Sequence, residues 1–445
     1  MRFMVFHIKS VSGILSCVFC ALTLYGCAGH GNDVEENTEE TVLPDFYSLT
    51  DRYNFLSSGA SSALSSAQES GVEKINRFSF TLAEMLEEAK GAEAFVFSPI
   101  SVSYGLGLLV NGAAGTTQRE ILDLLGFDFK EIQLVNNLFR DIMVLSNTNS
   151  KENEELRTEN FVLADFSFKI KDTFAEVVKN YYGAQVAQMM FSDPGKVAGY
   201  VNDKISESSH GKIRQAVTEK EINSSTCLLV NSLYFKAGWV QQFPVELTAT
   251  DYFTGVTGVK RQEEMMKLSI YGDVGYTATE DYSELTMPFG DDGVAGKYLC
   301  SFILPAEGKS LSAIINELSS EGWEPSVTFP KGISAISAKL PKFNVMLSEH
   351  LDNILKDAGL VSAFGESADF SNLSPTSSML SMFKHVCSFS MDEAGVEASA
   401  ASVAALNETS PGNSGDIVLF YADRPFLFVI SDKTTRANLF IGCIK

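Results

Sequence analysis

Between Gly395 and Ala405 the run Gly-Val-Glu-Ala-Ser-Ala-Ala-Ser-Val-Ala-Ala holds one side chain larger than valine, Glu397. A chain with 32 phenylalanines does not lack bulky apolar residues, so this run restricts what the segment is able to form. Alanine favours helix, but a helix here would bury no apolar stripe. Gly395 opens the run and Asn407-Glu408-Thr409-Ser410-Pro411-Gly412-Asn413-Ser414-Gly415 closes it. Read with the two-residue period of a strand, Val396, Ala398, Ala400, Ser402 and Ala404 share one face. Glu397, Ser399, Ala401, Val403 and Ala405 share the other, which alone carries a charge. The first face suits a packed interior whose space is not always open.

The leading residues read as a targeting segment: Arg2 and Lys9, the apolar run Val11 to Leu24, then Leu24-Tyr25-Gly26-Cys27. The run is too short for a permanent membrane span. Its ending resembles the lipobox of bacterial lipoproteins, which makes Cys27 the expected acylated residue and residues 1–26 a signal peptide. Residues 27–73 hold the acidic stretch from Asp33 to Glu40 and a Ser/Ala/Gly-rich stretch from Ser57 to Ser66, and read as a tether. From residue 74 to 445 the pattern is dense enough for one domain. The expected location is a bacterial cell envelope, lipid-anchored through Cys27, in the outer membrane and on its surface.

Acidic residues outnumber basic ones 56 to 34, and losing Arg2 and Lys9 takes the net charge from −22 to −24. That balance argues against nucleic acid as a partner. Only five histidines occur, with no metal-binding, phosphate-binding or dinucleotide motif around them, so no metal and no cofactor is expected. Gly412-Asn413-Ser414-Gly415 superficially matches a serine-protease nucleophile, but no paired His/Asp signature accompanies it. Asp291-Asp292 and Glu263-Glu264 read as solvated charges rather than an acid/base pair. Cys227, Cys300, Cys387 and Cys443 lie far apart in apolar surroundings and read as buried thiols, with a disulfide left open.

Helical spacing is evident at Phe78, Leu82, Met85 and Leu86, and again at Leu347, Leu351, Ile354 and Leu355 ahead of Gly359. Strands are expected at Cys227 to Ala237, Tyr298 to Pro305, Ile333 to Leu340, Phe426 to Ser431 and Ala437 to Ile444, the last two as a hairpin. Helices early and strands late predict an α+β domain.

Six motifs in order then carry a family resemblance. They are Phe97-Ser98-Pro99-Ile100-Ser101 with Asn111 to Thr117; Leu229-Val230-Asn231-Ser232-Leu233-Tyr234-Phe235-Lys236-Ala237-Gly238-Trp239 with Phe243; Leu340-Pro341-Lys342-Phe343; Ala368-Asp369-Phe370-Ser371; the stretch from Asp392; and Ala422-Asp423-Arg424-Pro425-Phe426-Leu427-Phe428. From about residue 74 onward the sequence resembles serpins. One departure is Lys204, where the family often has tryptophan.

The resemblance implies a large, mostly antiparallel central sheet, further sheets, eight to nine helices and an exposed reactive loop at about 393–421. It implies an inhibitor, not an enzyme: a monomer whose loop is cleaved by a target protease and inserts into the central sheet while the protease is still covalently attached. Inward residues of such a loop must be small, because extra methylenes in a packed space cost roughly 1–3 kcal/mol. Glu393, Gly395, Val396, Glu397, Ala398, Ser399, Ala400, Ala401 and Ser402 form the hinge on this reading, with Glu397 outward and hydrated. The family's interval from Glu393 places the reactive bond at Thr409–Ser410; counting back from Pro425 allows positions to about 413. Thr409 is small and uncharged, which fits an elastase-like or subtilisin-like serine protease, with a cysteine protease left open. Ser98, Ser101, Asn231 and His385 are implied to form a hydrogen-bonded cluster beneath the sheet, and Trp239, Lys342 and Glu393 to line the place where the loop enters. Two other classes stay in view: a non-inhibitory binding or chaperone-like serpin, and an envelope hydrolase, which lacks the histidine context it would need.

Overall fold

Sequence runs buried on both faces become central strands. Phe426–Asp432 (β15) and Asn438–Ile444 (β16) are buried at every residue and pair as an antiparallel hairpin. Phe95–Phe97 (β1) closes on the other side of β16, and Val294–Pro305 (β9), Tyr282–Asp291 (β8) and Gly275–Ala278 (β7) continue the sheet beyond β15. A second sheet has the order Asp416–Tyr421 (β14), Ile333–Pro341 (β10), Lys260–Ile270 (β6), Ala249–Thr254 (β5). The third sheet runs Phe343–His350 (β11), Lys384–Met391 (β12), Gly395–Val396 (β13), Cys227–Gly238 (β4), Glu155–Asp165 (β2), Gln185–Met189 (β3). These elements come from a computed structural model that describes residues 49–147, 153–291, 293–376, 378–397 and 416–445.

Ten α-helices occur among the described residues: Leu49–Ser57 (α1), Ser66–Lys90 (α2), Pro99–Gly112 (α3), Gly115–Leu124 (α4), Ile132–Asn147 (α5), Asp172–Tyr182 (α6), Pro194–Ser208 (α7), Glu219–Asn223 (α8), Leu311–Glu321 (α9) and Asp352–Asp357 (α10). Helix α2 starts at a capping box between Ser65 and Gln68 and buries Val72, Ile75, Phe78, Leu82 and Leu86 along one stripe. Helix α3 is buried almost all round, with Ser98 as its N-cap and Pro99 in its first turn, where a missing N–H costs nothing. It joins the main core, which collects buried side chains from all three sheets and the helices against them. A smaller core lies on the other face of the third sheet, where Val197, Val201 and Ile205 of α7 meet Leu228, Val230 and Val386.

Two expectations change. Residues 49–73 are not tether: α1 and the start of α2 are folded, Leu56 is buried, and the Arg52 guanidinium pairs with Glu159 of β2 at 2.6 Å. Leu347 lies on β11 rather than on a helix with Leu351, and the helix that follows is only α10. A helical Lys204 pairs with Glu207 at 3.6 Å, which suits a charge on that exposed side of α7. The four cysteines are free thiols, Cys300, Cys387 and Cys443 buried, and burial pushes Cys227 up to about 12.

Candidate functional site

The third sheet holds a discontinuity. Strands β12 and β4 run parallel and meet directly at Val386 and Ser232, but higher up β13 is wedged between them. The wedge arises from a tight turn after Met391. Asp392 donates its N–H to the Gly395 carbonyl at 3.0 Å, and its Oδ1 accepts the N–H groups of Ala394 (2.9 Å) and Gly395 (3.3 Å). Two residues then point back into the sheet, antiparallel to both neighbours: Gly395 lies opposite Gly238, and Val396 opposite Ala237 on one side and Met391 on the other. Gly395 has φ +144°, and a Cβ built there would collide with the Ala237 carbonyl oxygen, so only glycine fits. Val396 is fully buried, in the main core.

Trp239 lies across the mouth of this wedge. Its ring stacks on Phe289 with centroids 4.4 Å apart, and its Nε1–H donates to the Asp392 carbonyl at 3.1 Å. Backbone N–H groups of Trp239 and Phe243 donate to Ala394 (2.9 Å) and Glu393 (3.0 Å), so the turn is held at three points. Glu393 accepts from Lys342 at 2.8 Å and from the Thr248 hydroxyl at 2.7 Å. Burial pushes its carboxyl up, but the hydrogen bonds from Lys342 and Thr248 outweigh that and hold it below the usual range.

Glu397 departs from the expected hydrated position. Its backbone turns left-handed (φ +55°), which breaks the two-residue alternation, and its side chain is 3 % exposed and paired with Lys212, in the connection after α7. Nearby Tyr234 is pushed up to about 12, first by burial and then by the charges of Glu397 and Glu155. The charge is satisfied by a partner rather than by water.

Beneath the closed part of the seam, the structure links all four residues of the sequence-derived cluster. Ser98 donates its N–H to His385 Nε2 at 3.1 Å and its hydroxyl to the Leu439 carbonyl at 2.7 Å. Its oxygen accepts the Ser101 N–H at 3.3 Å, and the Ser101 hydroxyl donates to Asn231. Asn231 continues to Asn160 on β2, and Asn160 donates to the Tyr182 carbonyl at 2.8 Å. Asn160 was missed from sequence because a single asparagine within a strand carries no spacing signal; only its register opposite Asn231 reveals it.

As an acceptor, His385 Nε2 is unprotonated, and burial lowers the ring to about 4 from an ordinary 6.5. The unfolded chain therefore binds the proton first as pH falls, so the stability held above pH 6.5 is lost between there and pH 4. Denaturant midpoints measured at pH 7 and pH 5 should differ by about 2 kcal/mol from this group. A His385→Gln variant should lose that part of the pH dependence; an unchanged slope would count against the assignment.

Ala398, Ser399, Ala400, Ala401, Ser402 and the Thr409–Ser410 bond lie outside the described residues, as does Cys27. The chain is described again at β14, which pairs in parallel with β10 at the edge of the second sheet. No group of His, Cys, Asp and Glu suited to a metal ion occurs among the described residues.

A family model described as serpin (serine protease inhibitor) matches residues 73–445. Serpin A9 of Mus musculus is 29% identical over 375 residues, covering 83% of this chain and 87% of that protein. Among solved structures, the native state of the thermophilic serpin tengpin matches with TM-score 0.72 at 23% identity, over 87% of this chain and 98% of the other. Human thyroxine-binding globulin complexed with its ligand matches with TM-score 0.71 at 23% identity, over 85% and 98%. At those identities the two structures speak for the fold.

Proposed function

The chain belongs to the serpin family, and from that premise we propose that it is an inhibitory member, trapping an elastase-like or subtilisin-like serine protease by inserting its cleaved loop between β12 and β4. The observation that carries this reading is the register of the wedge. Continued one residue at a time from Gly395 and Val396, an inserted strand places Ala398 between Phe235 and Phe389, and Ala400 between Leu233 and Cys387. Ser402 then falls between Asn231 and His385, and Ala404 between Leu229 and Phe383. Independently, the direct pairing of Val386 with Ser232 has the stagger that admits Ala401 between them. Insertion needs no slip of either strand; it needs a sideways opening of about 4.8 Å and a change of Glu397 from its left-handed to an extended backbone.

The side chains suit those places. Alanines meet buried phenylalanine, leucine and cysteine, and the one polar residue of the inward face, Ser402, arrives at the buried polar cluster, where its hydroxyl has partners. Strand β4 ends at Cys227, opposite Leu406, so a protease bonded through Thr409 would finish just beyond the far end of the sheet. In the reaction the protease serine oxygen attacks the Thr409 carbonyl carbon, the bond to Ser410 breaks, and the new amine takes up the proton. Insertion competes with water for the resulting ester. Each molecule acts once, which makes the protein a consumed inhibitor rather than a catalyst.

The non-inhibitory alternative is represented in the same fold by thyroxine-binding globulin. Against it stands the small-residue face, which a loop that never inserts would not require. A cysteine protease target follows the same geometry with a thioester. We also infer acylation at Cys27 and display on a bacterial envelope; radiolabelled palmitate incorporation lost on Cys27→Ser would test it.

The direct experiment mixes the full-length chain with pancreatic elastase, subtilisin, trypsin and papain and analyses the products by denaturing gel and mass spectrometry. A band at the summed mass with elastase or subtilisin, and a released peptide beginning at Ser410, is the expected result. Loop cleavage with every protease left active, and no rise in thermal stability afterwards, would overturn the proposal.

A further inference from the structure

A cluster at the opposite end of the seam belongs to none of the residues discussed so far. Glu221 lies on α8, just ahead of β4, and Lys384 is the first residue of β12, across the seam. The Lys384 ammonium donates to both Glu221 oxygens, at 2.8 and 3.0 Å. His350, at the end of β11, adds a contact to Oε1 at 2.8 Å. The other oxygen accepts the N–H and hydroxyl of Thr218, at 2.7 and 2.9 Å, in a capping box that fixes the carboxylate on its helix. The Ser225 and Ser381 hydroxyls meet at 3.1 Å alongside. The side chains of Glu221 and Lys384 are only 11 % and 13 % exposed. Burial pushes the Glu221 carboxyl up, and the hydrogen bonds from Lys384 and Thr218 more than reverse it.

We propose that the Glu221–Lys384 pair is a clasp across the lower seam that sets how fast insertion is completed, and so whether a captured protease is held or released. The inserted register puts Val403 between Lys384 and Val230. Strand β12 must therefore move away from β4 by one strand spacing, about 4.8 Å, at the level of Lys384. A bidentate contact does not survive that displacement unless α8 detaches from the start of β4. Residues as far as Ser402 enter above the clasp, so it resists the second half of the movement, when about half of the strand up to Thr409 is still to enter. Glu221 and Lys384 touch no substrate; they act by positioning the two strands. The inference rests on the insertion reading above but not on the protease class.

The test compares the parent with Lys384→Met, which keeps an apolar stem, with Glu221→Gln, which keeps an oxygen for Thr218, and with the double variant. Subtilisin nicks the loop, and insertion is followed by stopped-flow fluorescence of the tryptophans, of which Trp239 sits at the mouth. The moles of inhibitor consumed per mole of trapped elastase are counted alongside. Each single variant should insert about tenfold faster, the scale of one well-formed partly buried ion pair, and the double variant no faster than either single. Fewer molecules should then be consumed per protease trapped. Equal insertion rates in parent and variants, or rates in the double variant that multiply, would overturn the clasp. Faster insertion in the variants with no covalent complex in any of them would keep the clasp and remove the inhibitory reading instead.

Discussion

The Ala400→Arg variant is expected to be cut by elastase or subtilisin as an ordinary substrate, leaving the protease fully active and no covalent band on a denaturing gel. Its side chain would have to enter between Leu233 and Cys387, both buried, in the main core. A guanidinium there finds no carboxylate, and an uncompensated buried charge costs several kcal/mol after relaxation. Insertion then loses the race with hydrolysis of the acyl-enzyme, and trapping should fall at least a hundredfold on the order of 3 kcal/mol in the barrier. The cleaved variant should also fail to gain thermal stability, in contrast to the cleaved parent. Undiminished complex formation by Ala400→Arg would mean that the register of β13 does not continue downward.

The second large effect concerns the amino-terminal helix. Replacing Arg52 with methionine should destabilise the native chain by about 3 kcal/mol, because removing one partner leaves the other charge buried and unpaired. Both side chains are nearly inaccessible, 9 % and 6 % exposed, and Glu159 also accepts from the Gln185 amide at 3.3 Å. Burial already pushes the Glu159 carboxyl up despite Arg52, so without Arg52 it is raised further. A carboxyl raised in the folded state gives stability below its unfolded pKa that is lost as pH climbs through the folded one. The deficit of Arg52→Met should therefore be larger at pH 8 than at pH 5, read from urea midpoints. Adding Glu159→Gln should recover most of it. Because Asn160 follows Glu159 on β2, the single variant should also loosen the polar cluster below the seam, and the His385 pH dependence offers a separate readout of that.

The strands that were legible in the sequence are those whose burial leaves a mark in residue type. Cys227 to Gly238, Ile333 to Pro341 and the final hairpin are long runs of branched and aromatic residues, and their ends came within a residue or two. Of the inward face expected for the hinge, Val396 is described and is buried in the main core, while Ala398, Ala400, Ser402 and Ala404 lie outside the described residues. Leu347 was misread for a geometric reason: a spacing of four to Leu351 suits a helix, but being even it also suits one face of a strand. Helix α1 was hidden by the Ser/Gly-rich residues after it and the acidic run before it, which made Arg52 and Leu56 look like isolated residues of a tether. Glu397 was misplaced because alternation assumes an extended backbone, and a left-handed residue ends the alternation. The clasp could not have been found from sequence at all, since Glu221 and Lys384 come together only through the pairing of distant strands.

The placement of β16 bears on the order in which the chain acquires its shape during synthesis. It sits between β1 and β15; β15 also pairs with β9, but β1 has β16 as its one strand neighbour among the described residues. A chain emerging amino-terminal end first exposes the apolar Phe95–Phe97 strand and the helices packed around it long before β16 exists. The first sheet therefore cannot be completed until translation is nearly over, and β1 lacks its strand partner for the whole interval. That leaves a window in which the nascent chain can be threaded through a membrane pore, or held by a chaperone, without first being pulled apart.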